Sequence, residues 1–295
     1  MTEAAGGRRA AVVGSPVAHS LSPVLHEAAY AALGLRGWSY QRIECDGEAL
    51  PGLLAKLDEH WAGLSVTMPG KQAALAVAGE ATGRARAVGA ANTLVQLGSG
   101  QWRADSTDVE GVTGALLAAG YPGRPGGPAV LLGAGGTANA AIVALPELGI
   151  EQVMVVAREP ARAEPALECA RRVGVRADVV RWAQSDVAAL AADSAVLVNT
   201  VPASAVEGDV PELSVAPFVL DVIYHPWPTP LASAVLARGG TVATGLDMLL
   251  HQAFSQVEQF TGRSAPREAM RDALREATGE ILPLPLEPAT GGNRT

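Results

Sequence analysis

Short apolar runs alternate with segments of helical spacing along the chain, and the alternation changes character twice. Residues 10–13 form an apolar run closed by Gly14, and residues 23–33 carry apolar positions at helical spacing until Gly34 stops them. Residues 40–43 and 64–66 read as further strands, the second followed by a turn at Pro69 and Gly70. Residues 94–97 and 102–104 read as two strands joined around Gly98, Ser99 and Gly100, and residues 109–119 read as a helix. Residues 120–128 are dense in Gly and Pro, can continue neither a helix nor a central strand, and are predicted to be a hinge. Beyond them the pattern restarts with a buried strand at 129–132, a helix at 137–148 and strands at 153–156, 195–198 and 219–221. From residue 246 only helices follow, at 246–260 and 266–277.

Strands alternating with helices predict an α/β chain whose second half is a doubly wound parallel sheet. The expected organisation is discontinuous. Residues 1–107 and 246–282 form a substrate-binding, catalytic α/β domain completed by the C-terminal helices. Residues 108–245 form a Rossmann-type dinucleotide-binding domain, and the Pro- and Gly-rich residues 283–295 are a disordered tail.

Composition narrows the function classes. The 295 residues are 48% hydrophobic and 18% charged, enough to build packed cores, and only 4% aromatic. A net charge of −8 disfavours nucleic acid, so any anion must be held by local positive charge. No run approaches the ~20 apolar residues that cross a bilayer. Residues 1–9 lack the apolar stretch of a secretory signal, so the expected address is the cytoplasm. Cys45 and Cys169 have no metal-ligand spacing and read as ordinary thiols, and no metal is expected.

The strand at 129–132 runs directly into Gly133, Ala134, Gly135, Gly136, Thr137 and Ala138. Gly133, Gly135 and Ala138 occupy the three small positions of the dinucleotide fingerprint: for the tight turn, for close approach of pyrophosphate, and for helix–strand packing. The following helix offers its first N–H groups to phosphate. After the next strand come Arg158, Glu159 and Arg162. Guanidinium groups there suit the 2′-phosphate of NADP, which is favoured over NAD. Glu159 leaves two options open: it binds the 2′-hydroxyl of NAD, or it pairs with an arginine. Two solvated arginines on an exposed turn remain the plain structural alternative.

Four polar segments follow predicted strands. Ser20 and Ser22 precede a helix and can cradle a carboxylate, or Ser22 simply caps that helix before Pro23. Thr67 and Lys71 sit at a strand's C-terminal end, where open parallel sheets place ligands. Asn92 can both donate and accept hydrogen bonds to a hydroxylated ligand. Asp108 closes the fourth segment. A lysine and an aspartate from separate loops make a proton-transfer pair or a structural ion pair.

In this order the segments resemble the shikimate dehydrogenase family. The resemblance runs through Ser-x-Ser-Pro-x-x-His at Ser20, Val-Thr-x-Pro-x-Lys at Val66 and Gly-Ala-x-Asn-Thr at Gly89. It continues through Thr107 and Asp108, the glycine turn at Gly133, and Asn199 with Thr200. It ends with Asp-x-x-Tyr-x-Pro-x-x-Thr-x-Leu at Asp221 and Gly-x-x-Met-Leu-x-x-Gln-Ala at Gly245. The resemblance implies reversible, NADP-dependent reduction of 3-dehydroshikimate to shikimate, a precursor of aromatic amino acids. Ser20 and Ser22 would hold the substrate carboxylate, with Tyr224 near it. Thr67, Asn92, Asp108 and Gln252 would bind ring hydroxyls. Lys71 would deliver the proton, oriented by Asp108. Arg158 and Arg162 would hold the 2′-phosphate of NADP. Gly133 to Ala138, Asn199, Thr200, Val222, Gly245 and Met248 would line the rest of the cofactor.

The sequence departs from the family pattern at Glu27, at Ser106 and after Pro202, and Ala157 and Glu159 replace a common Asn and Thr of the phosphate clamp. Asn293, Arg294 and Thr295 copy that clamp's usual tripeptide but follow no strand. The rival readings are a quinate or mixed quinate/shikimate dehydrogenase using NAD or NADP, a non-catalytic NADP-binding paralogue, and a folate or glutamyl-transfer-RNA reducing enzyme. Ser20, Ser22 and the Gln252 segment speak against the last. A monomer and a homodimer are equally compatible with the sequence.

Overall fold

The computed structural model describes residues 7–123 and 127–286. These residues divide into two compact units. Unit 1 takes the described residues up to Thr107 and those from Gln252 to Pro283; unit 2 takes those from Asp108 to His251 and from Leu284 onward.

Unit 1 begins with β1 (Arg9–Gly14), α1 (Ser22–Ala32), β2 (Ser39–Glu44), α2 (Leu50–Leu54), β3 (Trp61–Val66), α3 (Lys71–Val77), β4 (Glu80–Ala81), α4 (Gly83–Val88), β5 (Thr93–Gly98) and β6 (Gln101–Asp105). The sheet order is β2-β1-β3-β5-β6-β4. β1 runs parallel to β2 and β3, whereas β5 runs antiparallel to β3 and β6. The β5–β6 reversal is tight, and Gly98, Ser99 and Gly100 all adopt positive φ, which two glycines make cheap. β3 is buried along its whole length, as a central strand covered on both faces must be. The core beneath it is built from Ala11, Val13, Leu64, Val66, Leu94 and Trp102.

Unit 2 contains α5 (Asp108–Ala118), β7 (Ala129–Leu132), α6 (Gly136–Ala144), β8 (Gln152–Ala157), α7 (Glu164–Val173), β9 (Arg176–Arg181), α8 (Val187–Asp193), β10 (Val196–Asn199), α9 (Ala203–Val206), α10 (Val210–Leu213), β11 (Phe218–Asp221), α11 (Pro230–Ala237) and β12 (Thr241–Thr244). All six strands are parallel, in the order β12-β11-β10-β7-β8-β9. Counted from β9, this is the doubly wound order 3-2-1-4-5-6, which places a topological switch point between β7 and β10. β7, β10 and β11 are wholly buried, the signature of strands covered by helices on both faces.

The predicted helix at 137–148 changes form part-way. α6 ends at Ala144, and residues Leu145–Leu148 tighten into a 3-10 turn where Pro146 supplies no N–H. The chain closes with α12 (Gly245–Thr261) and α13 (Arg267–Ala277), and α13 packs on α1. α12 starts with a capping box: Thr244 Oγ accepts from the Asp247 N–H at 3.2 Å, and Asp247 Oδ2 accepts from the Thr244 N–H at 2.9 Å.

Three expectations shift. The stretch at 120–128 is not where the units divide, because α5 packs on α6 and so belongs to unit 2; residues 124–126 lie outside the described residues. The second crossing falls inside α12, between His251 and Gln252, rather than at residue 246. The tail begins ordered: Leu284 is fully buried, while residues 287–295, with the Asn293 tripeptide, lie outside the described residues. Among the described residues no helix is long and apolar enough to cross a membrane.

Gly63 marks a tight packing point in unit 1. A Cβ there would lie 2.2 Å from the Phe260 ring and 2.7 Å from the Leu94 carbonyl oxygen, and that backbone oxygen cannot move aside without breaking the sheet. Gly63→Ala is expected to destabilise the chain by about 1–3 kcal/mol, the range for overpacking, read as a lower urea midpoint at unchanged slope.

Candidate active site

In unit 1 the polar residues gather where β1, β3 and β6 end and where the antiparallel β5 begins. α1 starts at Ser22 with Pro23 in its first turn, and the preceding Leu21 makes no side-chain cap. Ser22 therefore does not cap the helix. Its Oγ instead accepts from Ser20 Oγ at 3.2 Å. Arg42 holds the Ser20 carbonyl through Nε at 3.1 Å and Nη2 at 2.6 Å. The two serine hydroxyls are thus set side by side on a fixed loop, the geometry a carboxylate cradle requires.

Thr67 follows β3, and its N–H donates to the Val13 carbonyl at 2.9 Å. A Cβ on Gly14 would come within 2.3 Å of Thr67 Cγ2, so glycine at the end of β1 makes room for this threonine. Lys71 opens α3, and its carbonyl accepts the Ala91 N–H at 2.9 Å, which ties the lysine backbone to the turn that presents Asn92.

Asn92 is 3% exposed, and its amide is thoroughly engaged. Nδ2 donates to Thr107 Oγ at 3.0 Å and to Gln252 Oε1 at 3.1 Å. Oδ1 accepts from the Thr107 N–H at 2.7 Å and from Thr93 Oγ at 2.9 Å. Gln256, one turn beyond Gln252 on α12, extends the cluster: Nε2 donates to the Asn92 carbonyl at 3.2 Å and to Thr93 Oγ at 3.0 Å. Its Oε1 accepts from Ser65 Oγ at 2.8 Å and faces His26 Nε2 at 3.3 Å. Complete burial lowers the His26 pKa to about 3, against the pull of the Gln256 hydrogen bond, so the ring is neutral.

Asp105 braces the turn before Thr107. Arg84 grips it with Nε at 2.7 Å and Nη2 at 2.5 Å, and Thr82 Oγ, Gln259 Nε2 and the Ser106 N–H donate to it as well. Burial pushes its pKa up, but Arg84 and the other donors outweigh burial and hold it below the usual carboxylate value.

In unit 2 the glycine turn meets the switch point. Gly133 has φ of 99°, and a Cβ there would lie 2.7 Å from Thr200 Oγ and 2.8 Å from Val201 Cγ1. Only glycine lets this turn close against the end of β10. α6 begins after Gly135 with no side-chain cap, which leaves its first N–H groups available to an anion. Ala138 is fully buried and contributes packing. A cavity of about 640 Å³ opens beside the turn, lined by Gly133, Ala134, Arg158, Arg162, Trp182 and Val201 among others. Glu159 reaches Arg181 at 3.4 Å. Of the options left open by the sequence, pairing with an arginine is the one observed.

Asn199 is turned inward: Nδ2 donates to Asp221 Oδ1 at 3.0 Å, and Oδ1 accepts from the Val201 N–H at 3.2 Å. It shapes the turn that carries Thr200. Thr200 Oγ donates to the Leu132 carbonyl at 2.8 Å, which joins that turn to β7. At the start of α12, a Cβ on Gly245 would lie 2.1 Å from the Val222 carbonyl oxygen and 2.8 Å from the Tyr224 ring, so Val222, Tyr224 and Gly245 form one close-packed corner. Met248 is buried on the next turn, and Asp108 is buried at the start of α5.

Residues 12–94 match the family model for the shikimate dehydrogenase substrate binding domain, and residues 245–275 match that for the shikimate 5′-dehydrogenase C-terminal domain. A shikimate dehydrogenase (NADP(+)) of Methylobacterium radiotolerans is 40% identical over 278 residues, covering 91% of this chain and 95% of the relative. The chain belongs to the shikimate dehydrogenase family. The crystal structure of Mycobacterium tuberculosis shikimate dehydrogenase superposes with a TM-score of 0.86 at 51% identity, covering 91% of this chain and 99% of that one. The Thermus thermophilus shikimate 5-dehydrogenase, solved with NADP(H) and shikimate, superposes with a TM-score of 0.75 at 34% identity, covering 92% and 99%.

For a shikimate dehydrogenase scaffold, the sequence left three features unread. Gln256 lies four residues after Gln252, hence on the same helix face, and that spacing could have revealed it. Tyr40 and Ser65 sit in predicted strands, but their hydroxyl partnership is a tertiary fact, with 2.6 Å between the oxygens. Trp182 lines the cavity from a segment that carries no glycine-turn or strand signal.

Asp105 gives the site a testable dependence on acid. A depressed carboxylate contributes stability above its unfolded pKa of roughly 3.9 and loses it as pH falls through the folded value. Asp105→Asn is expected to cost about 3 kcal/mol at pH 7, the low end for breaking a buried pair because Arg84 keeps 27% of its surface exposed. Urea titrations at pH 7 and pH 3 should show that gap narrowing at the lower pH.

Proposed function

We propose that this chain catalyses the reversible, NADP-dependent reduction of 3-dehydroshikimate to shikimate. The observation that carries the reading is the hydrogen bonding of unit 1, in which Ser20 is bonded to Ser22, Asn92 to Gln252, and the Lys71 carbonyl to the N–H of Ala91, next to Asn92. A carboxylate cradle, an ammonium group and a pair of amides are the groups a hydroxylated ring acid needs.

The cofactor assignment is supported by fit. The Gly133 turn offers a cradle that a Cβ would fill, and α6 offers uncapped N–H groups. Arg158 and Arg162 line the adjoining cavity together with Glu159, whose carboxylate has Arg181 3.4 Å away, so the two arginines are the groups that would meet a 2′-phosphate. Bound NADP supplies the hydride in one direction and accepts it in the other. Gly245, Val222 and Met248 are assigned to the nicotinamide end, and Tyr224 to the substrate carboxylate.

The protein's own work is proton management and orientation. Hydride addition to the C3 ketone leaves an alkoxide, and the Lys71 ammonium donates the proton that converts it to a hydroxyl. In the reverse direction neutral Lys71 takes that proton. Asp108 supplies the carboxylate of the proton-transfer pair and a hydrogen-bond acceptor for substrate. Ser20 and Ser22 hold the carboxylate, and Thr67, Asn92 and Gln252 orient the ring hydroxyls.

Steady-state oxidation of shikimate and of quinate, each with NADP and NAD, tests the assignment. Shikimate with NADP is expected to give the largest kcat/KM; a much larger value for quinate with NAD would overturn it. Lys71→Ala is expected to lower kcat by about 10²–10⁴-fold, the usual contribution of general acid–base catalysis, and near-normal turnover would remove Lys71 from the mechanism. Arg158→Ala is expected to raise KM for NADP by roughly tenfold or more, as loss of a charge-assisted hydrogen bond implies, and to leave KM for NAD nearly unchanged.

A further inference from the structure

β2 is an edge strand of the unit 1 sheet, and its side chains alternate between two faces. Ile43 packs on the core that contains Val13 and Leu64. Arg42 and Glu44 lie on the opposite face and reach the loop of residues 15–21 that joins β1 to α1, one at each end. Glu44 Oε1 accepts from the Ser15 hydroxyl at 2.6 Å, and Oε2 accepts from the Val17 N–H at 3.2 Å. Arg42 donates to the Ser20 carbonyl through Nε at 3.1 Å and Nη2 at 2.6 Å. Between the two grips the Ser20 N–H donates to the Val17 carbonyl at 3.1 Å and closes a turn. Each strap matches what it holds: the carboxylate takes donors, and the guanidinium takes an acceptor.

We propose that Arg42 is a positioning residue for the substrate carboxylate: its double grip on the Ser20 carbonyl sets where the Ser20 hydroxyl stands beside that of Ser22. The two hydroxyl oxygens are 3.2 Å apart, and the gripped carbonyl belongs to the same residue as one of them. Ser22 takes its place from α1, which it starts. Ser20 lies before the helix and takes its place from the loop, which Arg42 ties to the sheet. A planar guanidinium with two N–H groups on one oxygen constrains the direction of that carbonyl as well as its distance. Ordering the hydroxyl before substrate arrives favours binding of the carboxylate rather than the rate of hydride transfer. The role is positional and not coulombic. Arg42 is exposed, the atom it holds is a neutral carbonyl oxygen, and Glu44 carries the opposite charge two residues along the same face.

This inference rests on the proposed shikimate chemistry, and the experiment separates the two. Wild type, Arg42→Ala, Ser20→Ala and the double variant are assayed with shikimate and NADP, and shikimate binding is also read as a Kd by titration calorimetry. A wild type that binds shikimate without oxidising it would sink the reaction assignment, and the Kd comparison would still test Arg42. A wild type that does not bind shikimate would sink both. Arg42→Ala is expected to raise Kd and KM for shikimate about three- to tenfold, with kcat and KM for NADP within about twofold. In the Ser20→Ala background the same change is expected to have no further effect, because Arg42 acts through that residue's hydroxyl. Additive effects, or an Arg42→Ala enzyme that loses kcat and NADP affinity alongside shikimate affinity, would overturn the positioning role. Salt supplies a second reading. The ratio of the variant and wild-type Kd values is expected to stay the same between about 0.1 M and 1 M KCl, over which the Debye length falls from about 10 Å to 3 Å. A ratio that collapses toward one at high salt would show a charge acting at a distance, and the positioning role would be wrong.

Discussion

A buried primary amide has two protons to give and an oxygen to satisfy, and leaving any of them unmet costs about 1–3 kcal/mol. Asn92 meets that demand by drawing on three separate pieces of chain. Thr93 begins β5, Thr107 follows β6, and Gln252 comes from α12, 160 residues away in sequence. These bonds tie the turn before β5 to the turn after β6 and to α12. The constraint is what gives unit 1 a defined polar surface at the ends of its strands. It also shows what the C-terminal helices add to a unit whose other residues lie at the N-terminal end: α12 brings an acceptor for one Asn92 proton and a second donor, beside the Val66 N–H, to its carbonyl.

Unit 2 solves a different problem, which is to hold an anion on a chain with a net charge of −8. Long-range electrostatics work against it, and screening confines useful attraction to within about 10 Å at ordinary salt. The positive character must therefore be built locally. In the proposed site, uncapped N–H groups at α6 and the guanidinium groups of Arg158 and Arg162 would do this, and Glu159, which lines the same cavity, has Arg181 as its partner. The exposed Glu159–Arg181 pair adds little to stability. Its consequence is for the sign of the field beside the glycine turn.

The alternation of apolar runs with helical segments was enough to anticipate two α/β units and a parallel sheet after residue 128, because buried parallel strands such as β7 and β10 are nearly all apolar. Where a strand lies at an edge the signal fades. β9 reads Arg-Ala-Asp-Val-Val-Arg, and β12 reads Thr-Val-Ala-Thr, and neither stands out from a loop. Helices α8 to α11 are short and begin with capping or proline residues rather than with a long amphipathic repeat. In the site, segments with a fixed local spacing were legible, including Ser20 with Ser22 and the run from Gly133. Choices that depend on a distant partner were not. That Ser22 does not cap α1 and that Glu159 meets Arg181 are both tertiary facts.

Some glycines stand at turns where a neighbour leaves no room for a Cβ. Gly14 beside Thr67, Gly133 beside Thr200 and Gly245 beside the Val222 carbonyl are three instances, with hypothetical Cβ contacts of 2.3, 2.7 and 2.1 Å. At Gly14 the close neighbour is a methyl group on a side chain that could rotate, so a small substituent there would displace Thr67 rather than the fold. At Gly245 it is a backbone carbonyl, so the same substituent would have to shift the start of α12 itself.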